Sequence, residues 1–179
     1  FVALLVVVSL SQAEAADAAE AHGFRLTPIP DDFLDEARRL FKANVIAPTN
    51  PLDLGSIFDF DLYSHLVERS LEVCAPDGLL LVHTYSAGPE AEASHRLARR
   101  LGELSREIEK PLAFCAFTQR DEVRTLRAHT SLPIFTEIEA AMRALAASRD
   151  RHARPHPLAP LTTPSGERPS KVETLLTSA

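Results

Sequence analysis

The chain has 179 residues, 45% of them hydrophobic and 25% charged, with a formal net charge of −6. That balance belongs to a globular chain with room for a core of useful size, and not to a disordered one. The acidic surplus speaks against nucleic-acid binding, which asks for a basic face. Two cysteines, Cys74 and Cys115, are too few for a disulfide scaffold or a zinc site and read as buried, reduced thiols.

The chain opens on an apolar run from Phe1 to Leu10, in which Val2, Val6, Val7 and Val8 are β-branched. Such a run suits a buried parallel strand, apolar on both faces. A cleaved signal peptide is the competing reading, because Ala13-Glu14-Ala15 imitates a cleavage site. No run reaches the ~18 apolar residues of a membrane span. Gln12 to His22 is Ala-rich and reads as a helix closed by Gly23. Phe24 to Ile29 reads as a short strand. Asp31 to Lys42 reads as a helix, with Phe33, Leu34, Ala37, Leu40 and Phe41 at helical spacing. Asn44 to Ser56 reads as a loop, and Asp59 to Cys74 as a second amphipathic helix. A turn at Pro76-Asp77-Gly78 leads into a strand from Leu79 to Tyr85. Gly88-Pro89 opens a long helix to Glu109, whose Arg96, Arg99, Arg100, Glu103, Arg106 and Glu107 form a solvated face. Leu112 to Thr118 is a strand, Asp121 to His129 a helix, Leu132 to Phe135 a strand and Glu137 to Arg149 a helix.

Strands alternating with helices predict an α/β fold. The specific expectation is a flavodoxin-like three-layer sandwich around a five-stranded parallel sheet, order 2-1-3-4-5. Residues 1–149 form this domain. Five prolines fall within residues 150–169, which therefore read as a linker. Residues 170–179 start something helix-like. Phe1 in place of Met and the unfinished helix at Ala179 both suggest a piece of a longer protein.

In an open parallel sheet, ligands bind beyond the carboxyl ends of the strands. Those ends are the Ser9–Ser11 turn, the Asn50–Gly55 loop, the Thr84–Pro89 turn and the Thr118–Arg120 turn. Helix N-termini there favour an anion such as phosphate. The first turn holds no glycine, and Ser11 could simply cap its helix. Asn50-Pro51-Leu52-Asp53 could likewise be a structural turn. His83, inside an apolar strand, reads as a core histidine, and His65 and His95 as surface residues. No nucleophile triad, carboxylate pair or metal-ligand spacing stands out.

Several ordered segments resemble a known family, the NDP-forming acyl-CoA synthetases related to succinyl-CoA synthetase. Val2 to Ser11, Ala15-Ala16-Asp17-Ala18 and Gly23-Phe24-Arg25-Leu26 are similar to its opening strand, "A-A-D-A" helix and "G-L-x-L" strand. Asn50-Pro51-Leu52-Asp53-Leu54 is similar to its "N-P-x-D-L" loop. Asp77-Gly78-Leu79-Leu80-Leu81-Val82 resembles its "D-x-h-h-h-h" strand (h apolar), followed by a turn like Thr84 to Ser86. Lys110-Pro111-Leu112 and Leu132-Pro133-Ile134-Phe135 complete the order. The resemblance covers about residues 1 to 150 and is to the second flavodoxin-like, or ligase-CoA, domain.

The resemblance implies a ligase reaction: acid, CoA and ATP give acyl-CoA, ADP and phosphate through an acyl phosphate and a phosphohistidine. It implies that this chain holds no cofactor alone, and that CoA, ATP and Mg belong to the full enzyme. The implied partners are a CoA-binding domain, a first flavodoxin-like domain and an ATP-grasp domain, with no nucleic acid and no membrane. The implied location is cytoplasmic. Ser9, Ser11, Asn50, Asp53, Thr84 and Ser86 become the expected rim of the phosphate site. Two departures stand out. The family's Gly-rich first turn is replaced by Ser9-Leu10-Ser11-Gln12-Ala13-Glu14, where Glu14 adds negative charge. The phosphorylated His lies in another domain, so none of the seven histidines here takes that role. The isolated chain is expected to be inactive. The alternative is a non-catalytic flavodoxin-like binding or regulatory module, which the missing glycines favour.

Overall fold

The computed structural model describes residues 2–8, 11–41, 49–54 and 60–153. The proline-rich segment beyond Ala153 and the expected helix from Ser170 lie outside these residues. Among the described residues, five strands run in the order β2 (Phe24–Leu26), β1 (Val2–Val8), β4 (Gly78–Thr84), β5 (Leu112–Phe117) and β6 (Ile134–Phe135). Every pairing is parallel. This is the expected flavodoxin-like sheet with one addition. A sixth strand, β3 (Leu52–Asp53), pairs with β1 at Val7 and Val8.

The addition has a simple cause. β2 pairs with β1 only over Val2 to Leu4 and then leaves it. The vacated edge of β1 is taken by β3, so two short strands share one side of β1 end to end. The side chain of Asn50 fills the gap between them. Its Nδ2 donates to Leu4 O at 2.8 Å and to Thr27 O at 2.9 Å, and its Oδ1 accepts from Val6 N–H at 3.0 Å. The Asn50–Pro51 peptide bond is cis.

The unbroken apolar runs follow from helices on both faces. Leu5 and Val7 of β1, Leu79 and Leu81 of β4, and Leu112 and Phe114 of β5 point to one core. That core is covered by α2 (Asp31–Phe41), α3 (Phe60–Cys74), α4 (Ala91–Glu107) and α5 (Arg120–His129). The alternate residues Leu4, Val6, Val8, Leu80, Val82 and Cys115 meet α1 (Gln12–Ala21) and α6 (Ile138–Ala153). α6 runs on to Ala153, past the boundary suggested near Arg149, and ends with Arg151 and His152 where the helix dipole favours cations. α1 closes as expected: Gly23 follows His22 at φ 72°, a conformation open to glycine. The charged face of α4 is mostly solvated, but Arg100 reaches across to Glu68 of α3 at 2.7 and 3.2 Å.

Gly102, in the interior of α4, shows how closely the α5–β6 connection lies against that helix. A Cβ there would stand 2.8 Å from Thr130 Oγ1. That hydroxyl cannot easily yield, because it donates to Ala98 O at 2.7 Å and accepts from Leu132 N–H at 3.1 Å. On propensity alone, Gly102→Ala would stabilise the helix by about 1 kcal/mol. The clash reverses the sign, and the variant is expected to lose about 1–3 kcal/mol. Urea unfolding checks this; a variant as stable as the parent would refute it.

Candidate functional site

Because all strands are parallel, their carboxyl ends fall on one edge, and α1, α4 and α5 start there after β1, β4 and β5. None of these three helices has a side-chain cap bond at its N-cap residue, Ser11, Glu90 or Gln119. Ser11 is exposed with φ 64°, so the capping role open to it from sequence is not the one it plays. Ser9 lies outside the described residues. Asp53 is half-buried, pairs in register with Val8, and its charge adds to the burial that raises the Tyr63 phenol pKa. Thr84 and Ser86 are exposed at the end of β4. The topology thus brings Ser11, Asp53, Thr84 and Ser86 to the same edge.

Asn50 is set apart from them. Both amide protons go to backbone carbonyls, so it holds the loop in place and has no proton left for a ligand. The loop is tied further by Gln12, whose Nε2 donates to Pro51 O at 2.8 Å and Thr49 Oγ1 at 3.3 Å.

The backbone of the β4–α4 turn is already partly engaged. Ser86 N–H donates to Glu90 Oε2 at 2.7 Å, and Ala87 N–H donates to Gln119 Oε1 at 2.9 Å. The potential near α1 is set in part by two carboxylates. Burial first, and then Glu14 and Glu137, push the Cys115 thiol up to about 12. Cys115 is buried as expected, while Cys74 is half-buried. No trio of His, Cys, Asp or Glu suited to a metal occurs among the described residues. No helix among them is long and apolar enough to cross a membrane.

His83 is a core residue, as its strand position suggests. It is 2% exposed, its Nε2 lies 3.1 Å from Ser94 Oγ, and its ring stacks near Tyr85 at 5.2 Å. Burial lowers its pKa to about 4. His65 is exposed, but His95 is not the surface residue expected. Its side chain is 12% exposed and its Nε2 sits 2.5 Å from Glu122 Oε1. The same oxygen accepts the Tyr85 hydroxyl at 3.1 Å. Nothing in the helical spacing of α4 marks this, since the partner lies on another helix.

A cavity of about 490 Å³ opens at the opposite, amino edge, between Leu4, Phe24, Pro111 and Leu145. Three of its charged neighbours are committed to the backbone: Lys110 Nζ donates to Pro76 O, Arg149 Nη1 to His22 O, and Asp77 Oδ2 accepts from Ala3 N–H.

No family profile matches the chain, and no curated protein matches it. Solved structures do share its fold. One is a dinucleotide-forming acetyl-coenzyme A synthetase 1 of Ca. Korarchaeum cryptofilum in its apo form. It has a TM-score of 0.65 and 17% identity over 85% of this chain and 34% of that one. The same synthetase in complex with phosphate and ADP gives a TM-score of 0.63 at 17% identity, over 83% and 33% of the two chains. A protein from Pyrococcus horikoshii OT3 gives 0.61 at 16% identity, over 82% and 35%. The chain thus spans about a third of the length of the structures it resembles and is similar in fold to one part of an acetyl-CoA synthetase.

Proposed function

We propose that the chain is a domain fragment of an NDP-forming acyl-CoA ligase, in which it supplies part of the phosphate-transfer site. The observation that carries this reading is the likeness in fold of 85% of the chain to one third of a synthetase. The ordered segments from Val2 to Phe135 that resemble the same family support it independently. The carboxyl edge would act through the N-termini of α1, α4 and α5, whose amide groups favour phosphate oxygens and the charge that develops during transfer. Ser9, Ser11, Asp53, Thr84 and Ser86 are the proposed rim, with Asn50 holding the loop behind it. CoA, ATP and Mg, and the phosphorylated histidine, would be held by a CoA-binding domain, a first flavodoxin-like domain and an ATP-grasp domain.

A second reading, a non-catalytic flavodoxin-like module, draws on one specific observation. Glu90 and Gln119 already accept from the Ser86 and Ala87 amides, and Glu14 adds negative charge at α1. An anion would have to displace the first pair and face the second charge.

One experiment separates the two. The chain alone is expected to form no ADP from ATP, CoA and a short carboxylic acid. With the three partner domains of such a synthetase added, acid- and CoA-dependent ADP formation is expected to exceed that of the partner domains alone. Activity of the chain by itself would overturn the reading that it is an inactive fragment, and no gain on adding it to the partners would overturn the ligase reading.

A further inference from the structure

Glu122, in the first turn of α5, lies deep at the carboxyl edge, with its side chain 10% exposed. Its Oε1 meets two groups from different elements: the hydroxyl of Tyr85, just beyond β4, and Nε2 of His95 on α4. Tyr85 is itself buried, with its N–H donating to Phe117 O at 3.3 Å. His95 in turn stacks on His129, from the far end of α5, at 4.5 Å between ring centres. One oxygen therefore joins the end of a central strand to the two helices that flank its turn. A buried carboxylate is costly to desolvate, and apolar side chains would hold two helices together at least as well. What a carboxylate adds is direction, because a hydrogen bond weakens steeply when misaligned.

We infer that Glu122 is a positioning residue: through Tyr85 it fixes the aim of the Thr84–Ser86 turn. The use of that turn rests on the phosphate-rim reading above, but the positioning can be measured on the chain alone. The experiment is amide hydrogen exchange by NMR, comparing Ser86 and Ala87 of the turn with Leu80 and Val82 inside β4. Glu122→Ala is expected to speed exchange at the turn about tenfold more than in the strand, because the lost bonds open the turn locally. Glu122→Gln, whose amide oxygen still accepts from both partners, is expected to restore most of the protection. Tyr85→Phe, which removes one hydroxyl, is expected to reproduce the effect at the turn, and it carries the test if Glu122→Ala does not fold. Equal acceleration in turn and strand, or no rescue by glutamine, would reduce Glu122 to a packing group and overturn the inference. Failure of the mixed domains to make ADP bears on the rim reading and leaves the exchange result intact.

Discussion

Asn50→Ala is expected to cost about 4 kcal/mol, a large part of the stability of an ordinary domain. The side chain makes three bonds to the backbone at 2.8 to 3.0 Å. Leu4 O would keep a partner, since it also accepts from Thr27 N–H at 2.9 Å. Val6 N–H and Thr27 O would lose theirs, and each buried group left unpaired costs about 1–3 kcal/mol. The junction of β2, β1 and β3 would loosen with them. Asn50→Asp is the sharper variant. It keeps the acceptor for Val6 N–H but turns a two-proton donor into an anion facing two carbonyl oxygens. At neutral pH it should be at least as destabilising as alanine, although it differs from asparagine by one atom. Urea unfolding with circular dichroism measures both. A loss below about 1 kcal/mol for either would mean that water replaces the amide and that the junction is not closed.

The second large effect is on acid stability. His83 in the folded protein binds a proton only near pH 4, whereas an ordinary histidine does so near 6.5. Between these values the unfolded chain holds more protons than the folded one. Stability therefore falls as the pH drops through this window and levels off below it. The separation corresponds to about 3 kcal/mol. His83→Phe keeps a ring between Tyr85 and Phe114 and removes the titration. Carboxylates also titrate here, but they are common to both proteins and cancel in the difference. The gap in unfolding free energy between His83→Phe and the parent should shift in favour of the variant by about 3 kcal/mol from pH 7 to pH 4. Parallel stability curves would show that the folded histidine accepts a proton as readily as the unfolded one.

The main frame of the fold is legible in the sequence because β1, β4 and β5 are apolar on both faces and need no partner to be seen. Leu79 to Val82 could hardly be anything but interior. β3 is not legible, since its two residues become a strand only because β2 leaves β1 early. The role of Asn50 is hidden for the same reason. An asparagine before proline advertises a turn, and nothing local says that its amide completes a sheet edge. His95 reads as a surface residue because the acid that holds it, Glu122, lies 27 positions away on another helix. The edge that gathers Ser11, Asp53, Thr84 and Ser86 could be anticipated from topology alone. The acceptors already seated in the β4–α4 turn could not, because Gln119 comes from a different loop.

The end-to-end arrangement of β2 and β3 bears on how the chain behaves in a crowded solution. A long, bare strand at the margin of a sheet is a template on which other chains aggregate. Here β1, the strand that would offer such a margin, is covered along one side by two pieces of three and two residues. The opposite margin, β6, is also only two residues long. None of these three outer strands is long enough to seed much intermolecular ladder, and Arg25 puts a charge in the middle of β2. Loosening the Asn50 junction would uncover β1, so its loss would expose the protein to self-association as well as to unfolding.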